Sequence, residues 1–308
     1  MFAASLGAFL THSIDYAGMF PPCSLALEPA LRNQAHYVRD PDAWMLGTFV
    51  LAMGKFDAAA GNLSLFDREH PLLISALGAK TANAGEFIDT LKIAAEKIRS
   101  FSAEHVDLVS ARQLEMPLPQ DVDPGLLGKM GSILKSLKLQ AFWETPVDSA
   151  EEAIALLAEH NSTTGAAQFG YKLRTGGVTA EAFPASQQIA RALVASAKQR
   201  VPIKFTAGLH HPIRQFRDEV KTKMHGFVNV LGAAVLAAEH QWDEQQTSKM
   251  LEDENGASFS FSDDSFAWRE WKIVTEQIKA RRKLVTSFGS CSFDEPREDL
   301  RALNLLTS

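Results

Sequence analysis

The sequence predicts an α/β fold, a (β/α)₈ TIM barrel with an insertion before the last strand. Eight short apolar segments have the composition of buried strands, and segments with apolar residues three and four positions apart lie between them. The chain has 308 residues, which covers the roughly 250 residues of such a barrel and leaves enough for an insertion. An open, doubly wound sheet shows the same periodicity, so it stays as the structural alternative.

Strand-like and helix-like segments alternate along most of the chain. Strands are predicted at residues 13–20, 44–53, 71–78, 106–114, 139–145, 167–174, 202–208 and 284–290. The clearest helical segments are residues 25–38, 84–98, 149–160 and 185–199. Residues 250–273 have the pattern of a polar loop and a hairpin that turns at Asp263 and Asp264. We therefore expect one barrel domain over residues 1–308, with an inserted loop and hairpin at about 240–282.

Composition narrows the class of protein. The net charge of −6 and the pI near 5.9 argue against a general nucleic-acid or anionic-membrane surface. The apolar start of the chain has no Lys or Arg and is interrupted at His12, which makes it a poor signal peptide and too short for a membrane span. Cys23 and Cys291 are too few and too far apart in sequence for a disulfide framework or a cysteine metal site. A reducing compartment, the cytoplasm, fits best.

Charged residues interrupt several of the apolar strands. In the stretch VPIKFTAGLHHP, residues 201–212, Lys204 shares one strand face with Thr206 because strand side chains alternate. Lys172 and Arg174 share a face of the preceding strand in the same way. The fourth and fifth strands carry Asp107 and Glu144. Charged groups near the carboxyl ends of barrel strands are placed where barrel enzymes carry out chemistry.

Lys172 and Lys204 are predicted on consecutive strands, which lie about 5 Å apart in a sheet. Repulsion between two ammonium groups, together with their burial, would lower the pKa of one of them. A neutral amine is what Schiff-base formation with a carbonyl compound requires. Each lysine could instead extend out of its strand end or pair with a carboxylate such as Glu144, which is the structural alternative.

Six short stretches follow one another in the order of a known set of motifs. They are residues 13–22 (SIDYAGMFPP), 106–109 (VDLV), 142–145 (FWET), 172–177 (KLRTGG), 204–210 (KFTAGLH) and 288–292 (FGSCS). The set resembles the deoxyribose-phosphate aldolase family, class I aldolases built on this barrel. The resemblance implies Lys172 as the Schiff-base former, Lys204 as the second cation beside it, and Asp107 as a member of the proton relay.

The chain also departs from the family pattern. Arg174 stands where the family has a small hydroxyl residue, and Leu209, His210 and His211 replace a segment that helps to hold the family's phosphate. The insertion has no counterpart in the family pattern. The planar guanidinium of Arg174 could hold a carboxylate or phosphate of the substrate. The residues expected to bind substrate are Arg174, Glu144, Thr206, His210, Gly176, Gly177, Gly289 and Ser290.

The first hypothesis is thus a lyase that acts without a cofactor or a metal on a small carbonyl substrate carrying a carboxylate or phosphate. A second hypothesis is a metal-dependent hydrolase or isomerase with His12, Asp15, His210 and His211 as ligands. A third is a non-catalytic barrel that binds an anionic metabolite, since barrels host many functions. No nucleic-acid or membrane partner is expected, and a homo-oligomer is left open.

Overall fold

The strands of the chain form one closed barrel and two small antiparallel sheets in a computed structural model that describes residues 2–163 and 169–306. The strands are β1 (Ile14–Tyr16), β2 (Leu46–Ala52), β3 (Leu72–Leu77), β4 (Val109–Pro117), β5 (Gln140–Glu144), β6 (Gly170–Arg174), β7 (Ile203–Thr206), β8 (Gln215–Arg217), β9 (Thr222–Met224), β10 (Phe259–Phe261), β11 (Ser265–Trp268), β12 (Trp271–Val274) and β13 (Val285–Ser290). Eight of them are parallel neighbours in the closed order β1-β13-β7-β6-β5-β4-β3-β2. The predicted (β/α)₈ TIM barrel is confirmed, and the open sheet is excluded.

Helices alternate with the barrel strands. They are α1 (Ala4–Leu10), α2 (Leu27–Tyr37), α3 (Phe56–Ala60), α4 (Ala84–Glu104), α5 (Pro124–Leu134), α6 (Ala150–Thr163), α7 (Ser186–Gln199), α8 (Phe227–His240), α9 (Glu244–Leu251), α10 (Thr275–Arg281) and α11 (Asp294–Ala302). Several begin at a side-chain cap: Asn83 accepts a hydrogen bond from the Glu86 amide, and Asp123 accepts one from the Leu126 amide. Such caps satisfy amide groups that have no partner inside the helix.

The predicted elements match the observed ones except near β4 and in the connections. Each predicted strand overlaps a barrel strand, although residues 167–168 of the sixth lie outside the described residues. The fourth was predicted at 106–114 but runs from Val109 to Pro117, because α4 continues to Glu104 and a turn follows it. Neither α1 nor the β8–β9 hairpin was predicted from the sequence.

The insertion contains α9, the antiparallel sheet β10-β11-β12 and α10. The hairpin turn at Asp263 and Asp264 lies between β10 and β11, as predicted, and β12 adds a strand that was not predicted. The sheet packs on α1, where the Phe9 ring lies 5.3 Å from that of Phe261 and 4.9 Å from that of Phe266. Since α1 leads directly into β1, the insertion contacts the end of the barrel where the strands begin.

Within residues 2–163 and 169–306, no helix combines the length and the apolar character needed to cross a membrane.

Candidate active site

Two lysines face each other across neighbouring strands inside the barrel. Lys172 on β6 is paired in register with Lys204 on β7, and on its other side with Glu144 at the end of β5. Lys172 is 4% exposed and Lys204 is 1% exposed. The predicted adjacency of the two lysines is confirmed, and burial this deep is rare for lysine unless the charge is paired.

Lys204 uses every hydrogen of its ammonium group. Its Nζ donates to Asp15 Oδ2 at 2.8 Å, to Gln113 Oε1 at 2.6 Å and to Glu115 Oε1 at 2.6 Å. An ammonium has three donors and no acceptor, so these three bonds fix its position. Burial lowers the pKa of Lys204, but the attraction of Asp15 and Glu115 outweighs it, and the pKa lies above its ordinary value.

Lys172 has two carboxylate partners. Its Nζ lies 2.8 Å from Glu115 Oε2 and 3.0 Å from Glu144 Oε2. The structural alternative, pairing with Glu144, is therefore present, together with a second carboxylate that was not anticipated. The simple picture of two bare, repelling ammonium groups is wrong, because the carboxylate of Glu115 lies between them.

Glu115 is the shared partner of the two lysines. One of its oxygens contacts Lys172 and the other contacts Lys204, while Ser75 Oγ donates to Oε1 at 2.5 Å. Burial raises the pKa of this carboxyl, but the two ammonium groups lower it more strongly, so that it lies well below its usual range. Glu115 is therefore ionised across the whole neutral range.

Asp15 anchors the other side of Lys204 from β1. Its Oδ1 accepts from the Thr48 amide and from Thr48 Oγ1, both at 2.7 Å, and its Oδ2 accepts from Ser287 Oγ at 2.6 Å. Gly47 is required beside it, because a Cβ at that position would lie 2.4 Å from Asp15 Oδ1. The full set of hydrogen bonds compensates for burying a carboxylate that is 0% exposed.

A cavity of about 280 Å³ opens onto this cluster at the carboxyl ends of the strands. Lys172, Lys204 and Glu115 line it, together with apolar side chains from the strand ends and the following loops. A wider groove of about 720 Å³ lies on the side of β4, β5 and β6 and is lined by Glu144. Arg174 borders both spaces, so a ligand in the groove could extend into the cavity past its guanidinium.

Arg174 lies at the mouth with its side chain half exposed. Its Nε donates to Glu144 Oε1 at 3.3 Å, on the oxygen that does not contact Lys172. The long bond and the exposure leave the guanidinium able to bind an anion, which fits the binding role expected for Arg174.

The histidines beside β7 pair with carboxylates of α11. His210 lines the cavity, and its Nδ1 lies 2.9 Å from Glu295 Oε2. His211 Nδ1 lies 2.6 Å from Asp299 Oδ2. The hydrogen bond with His210 lowers the pKa of the Glu295 carboxyl, despite its partial burial. Only His210 of the two is placed to meet a ligand in the cavity.

The other residues expected to bind substrate divide into two groups. Thr206, Gly177 and Gly289 line the cavity. Gly176 instead allows the loops after β6 and β7 to approach closely, since a Cβ there would lie 3.0 Å from the Gly208 Cα. Ser290 is 1% exposed, and its hydroxyl accepts from the Ser292 amide, so its side chain supports the loop.

Asp107 does not join the lysines, and this is a correction. It precedes β4 in a turn, with a φ of 72°, and its half-exposed carboxylate lies 3.9 Å from Arg68 Nε. The strand begins at Val109, which places Asp107 at the opposite end of the barrel from the cavity. Glu115, near the other end of the same strand, is the β4 carboxylate that contacts the two lysines.

The ligands of the metal hypothesis do not converge. His12 lines a separate space with residues of α1 and α10 and its Nδ1 contacts the Leu46 carbonyl, while Asp15 is saturated by the contacts described above. His210 and His211 face α11. Throughout residues 2–163 and 169–306, no three His, Cys, Asp or Glu side chains form a group that could hold a metal ion.

Glu115 and Gln113 were not predicted as members of the site, and the contact of Asp15 with Lys204 was not predicted either. The stretch RQLEMP could have identified Gln113 and Glu115, because these two residues alternate with Leu114 and Met116 as strand residues do. The predicted fourth strand ended at residue 114 and so excluded Glu115.

The fold and the site together define a (β/α)₈ barrel with a buried lysine and carboxylate cluster at the carboxyl ends of its strands. Comparison with known proteins adds no relative: no family model matches the chain, and no curated protein matches its sequence.

Proposed function

We propose that this protein is a lyase of the class I aldolase type, in which Lys172 forms a Schiff base with a small carbonyl substrate. The observation that carries the proposal is the different pairing of the two lysines. Both lysines line the cavity, but Lys204 has all three hydrogens bonded to protein oxygens, whereas Lys172 has two carboxylate partners. Lys172 therefore has one direction, toward the cavity, that no oxygen of the described residues occupies, and its amine can attack a carbonyl carbon from there.

Glu144 is suited to move the protons of this reaction. It is partly exposed at the strand end, whereas Glu115 is fully buried between two cations. A proton passes from the Lys172 ammonium to Glu144, and the free amine attacks the carbonyl carbon to give a carbinolamine. Glu144 then returns the proton to the hydroxyl group, which leaves as water. The positive charge of the ammonium is conserved in the iminium, and the Glu144 carboxylate is restored.

The charges around Lys172 support the intermediate as well as the resting lysine. Glu115 lies 2.8 Å from Nζ and remains ionised, so it stabilises a positive nitrogen in either form. In the lyase direction, Glu144 takes the proton of the hydroxyl group on the carbon β to the iminium carbon. The carbon–carbon bond then breaks, the first carbonyl product leaves, and the electrons of that bond move into the iminium to give an enamine. Protonation of the enamine carbon and hydrolysis of the iminium then release the second product and regenerate Lys172.

Arg174 indicates the substrate class. Its guanidinium is at the mouth of the cavity, next to the groove, where it would hold a carboxylate or phosphate while the carbonyl group reaches Lys172. His210 on the cavity wall, with Thr206, Gly177 and Gly289, would contact the rest of the molecule. The proposed reaction needs no cofactor. The proposed location is a reducing compartment such as the cytoplasm, which the small number of cysteines favours.

The experiment is reductive trapping. The wild type is incubated with a panel of small aldehydes, ketones and keto acids plus sodium cyanoborohydride, and adducts are measured by intact mass. We expect a single adduct with the wild type, none above background with Lys172→Met, and a normal adduct with the control Lys198→Met, which changes an exposed lysine of α7.

The alternatives give different outcomes. Saturable binding of anionic compounds with no adduct from any carbonyl would contradict the lyase proposal and favour a non-catalytic barrel. Hydrolysis or isomerisation that is abolished by chelators and unaffected by Lys172→Met would favour the metal hypothesis.

A further inference from the structure

Two thiols that are distant in sequence meet beside the cavity. Cys23 Sγ lies 2.7 Å from Cys291 Sγ, although 268 positions separate them along the chain. The sequence alone did not reveal this contact. It arises because closing the barrel brings β1 next to β13 and the residues that follow each strand into contact. Both cysteines are free thiols in this structure.

The two thiols differ in access. Cys23 is exposed in the connection between β1 and α2, whereas Cys291 is 6% exposed, directly follows β13 and lines the cavity. Burial, followed by the hydrogen bond with Cys23, raises the pKa of the Cys291 thiol to about 12. An oxidant in solution therefore reaches Cys23 first, and Cys291 is within contact distance to react with the product.

We propose that Cys23 and Cys291 are a redox pair, which a peroxide converts to a reversible disulfide that restricts access to the cavity. The Cys23 thiolate attacks a peroxide oxygen, giving a Cys23 sulfenic acid and releasing water once a proton is taken up. The Cys291 sulfur then attacks Cys23 Sγ, the sulfur–sulfur bond forms and the second water leaves. The two thiols lose two electrons and two protons, and the peroxide is reduced to two waters.

The geometry needs little adjustment for this bond. A disulfide is about 2.05 Å long, so the two sulfur atoms must approach by well under 1 Å from their present contact. Disulfides in reducing compartments are usually transient and regulatory, and a dithiol reductant would restore this pair by thiol exchange.

The disulfide would restrain one wall of the cavity. Phe20 and Pro21, in the same connection as Cys23, line the cavity, and Cys291 lines it from the end of β13. A covalent link would prevent this connection from moving away from β13. Entry of a ligand to Lys172 therefore becomes slower in the oxidised protein, a consequence that rests on the proposed function.

The first test is independent of any activity. The full chain is treated with hydrogen peroxide, alkylated and analysed by intact mass and by peptide mapping without reduction. We expect the loss of two hydrogen masses, no alkylation, a Cys23–Cys291 cross-linked peptide, and recovery of both thiols with dithiothreitol. In Cys291→Ser, dimedone should label Cys23 as the sulfenic acid. In Cys23→Ser, Cys291 should remain an unmodified thiol.

A Cys23 sulfinic acid beside a free Cys291 thiol in the wild type would overturn the pair. So would a disulfide-linked dimer through Cys23 in place of the internal bond.

The second test concerns access. The rate of adduct formation at Lys172 is compared before and after oxidation, with sodium cyanoborohydride because it reduces iminium ions and leaves disulfides intact. We expect a slower rate in the oxidised wild type, recovery with dithiothreitol, and no effect of peroxide on Cys23→Ser. An equal rate in both states would overturn the control of access. If the reduced protein gives no adduct, the lyase proposal fails, while the disulfide is still decided by mass.

Discussion

Lys172 and Lys204 lie opposite each other in the register of β6 and β7 and share one carboxylate, that of Glu115. Two buried cations at this spacing would repel each other strongly without it. The shared carboxylate makes the stability of the barrel and the proposed chemistry depend on the same residue.

Glu115→Gln should be strongly destabilising. The amide keeps the shape of the side chain but leaves two buried ammonium groups without the charge between them, and breaking a buried pair in this way costs about 3–5 kcal/mol. The measurement is urea unfolding of variant and wild type. Glu96→Gln is the matched control, because Glu96 pairs with Arg99 on the surface, where such a pair contributes less than about 1 kcal/mol. Equal effects of the two substitutions would mean that the cluster does not stabilise the fold.

The contribution of Glu115 should depend on pH in a defined direction. Its pKa in the folded protein is below its ordinary value of 4.5, so its stabilising effect is complete above that value and is lost as the pH falls through the folded pKa. The difference in unfolding free energy between wild type and Glu115→Gln should therefore be constant at neutral pH and shrink in acid. Urea unfolding at a series of pH values measures it. A difference that grows in acid would be inconsistent with the ionised carboxylate.

The stabilising contribution of Lys204 should be lost in alkali rather than in acid. Its pKa is raised above 10.5 in the folded protein, so its contribution to stability is complete below that value and is lost as the pH rises through the folded pKa. Lys204→Met should thus lie well below the wild type in stability at neutral pH and approach it only in strong alkali. Unfolding curves of the two proteins at alkaline pH test this, and a gap that closes already near neutral pH would argue against a paired ammonium.

Substitution of Asp107 and substitution of Asp15 should have different effects on stability. Asp107→Asn changes a half-exposed residue outside the site, so its effect on stability should stay within about 0.5 kcal/mol and adduct formation should be normal. Asp15→Asn removes a buried partner of Lys204 and should cost about 3–5 kcal/mol. Thermal unfolding and reductive trapping are measured on both variants. Loss of trapping in Asp107→Asn with an intact fold would restore the relay role expected from the family resemblance.

Arg174→Lys should weaken the reaction of anionic substrates by roughly 1–3 kcal/mol in transition-state terms, because an ammonium cannot make the two parallel contacts of a guanidinium. The measurement is kcat/KM for an anionic substrate and for its uncharged analogue. The analogue is the internal control and should react equally well with both proteins. An equal loss for the two compounds would indicate that Arg174 acts through Glu144 rather than on the anion.

Local sequence patterns were sufficient for the barrel but not for all of its connections. Apolar segments recur along the sequence with amphipathic segments between them. The apolar segments correspond to the barrel strands because a parallel strand of this fold is buried on both faces. β8 and β9 were missed because they are three residues long and only partly buried. The start of β4 was misplaced because α4 extends six residues beyond its predicted end at residue 98, which moves the following turn and strand along the chain.

Some residues of the site could also be identified from the sequence, whereas others could not. Lys172 and Lys204 were identifiable because a charge inside an apolar strand needs a reason. Of their carboxylate partners, Glu144 was anticipated. Asp15 and Glu115 were not, because they lie 189 and 89 positions from Lys204 and only the closure of the barrel brings them together. The contact between Cys23 and Cys291 has the same origin.

The position of the trapped adduct decides whether Lys172 is the lysine that forms the Schiff base. Wild-type protein is treated with a reactive carbonyl compound and sodium cyanoborohydride, digested, and mapped by tandem mass spectrometry. We expect the added mass on Lys172 and an unmodified Lys204, because the hydrogens of Lys204 are all bonded to protein oxygens. An adduct on Lys204, or one spread over exposed lysines with none on Lys172, would contradict this assignment.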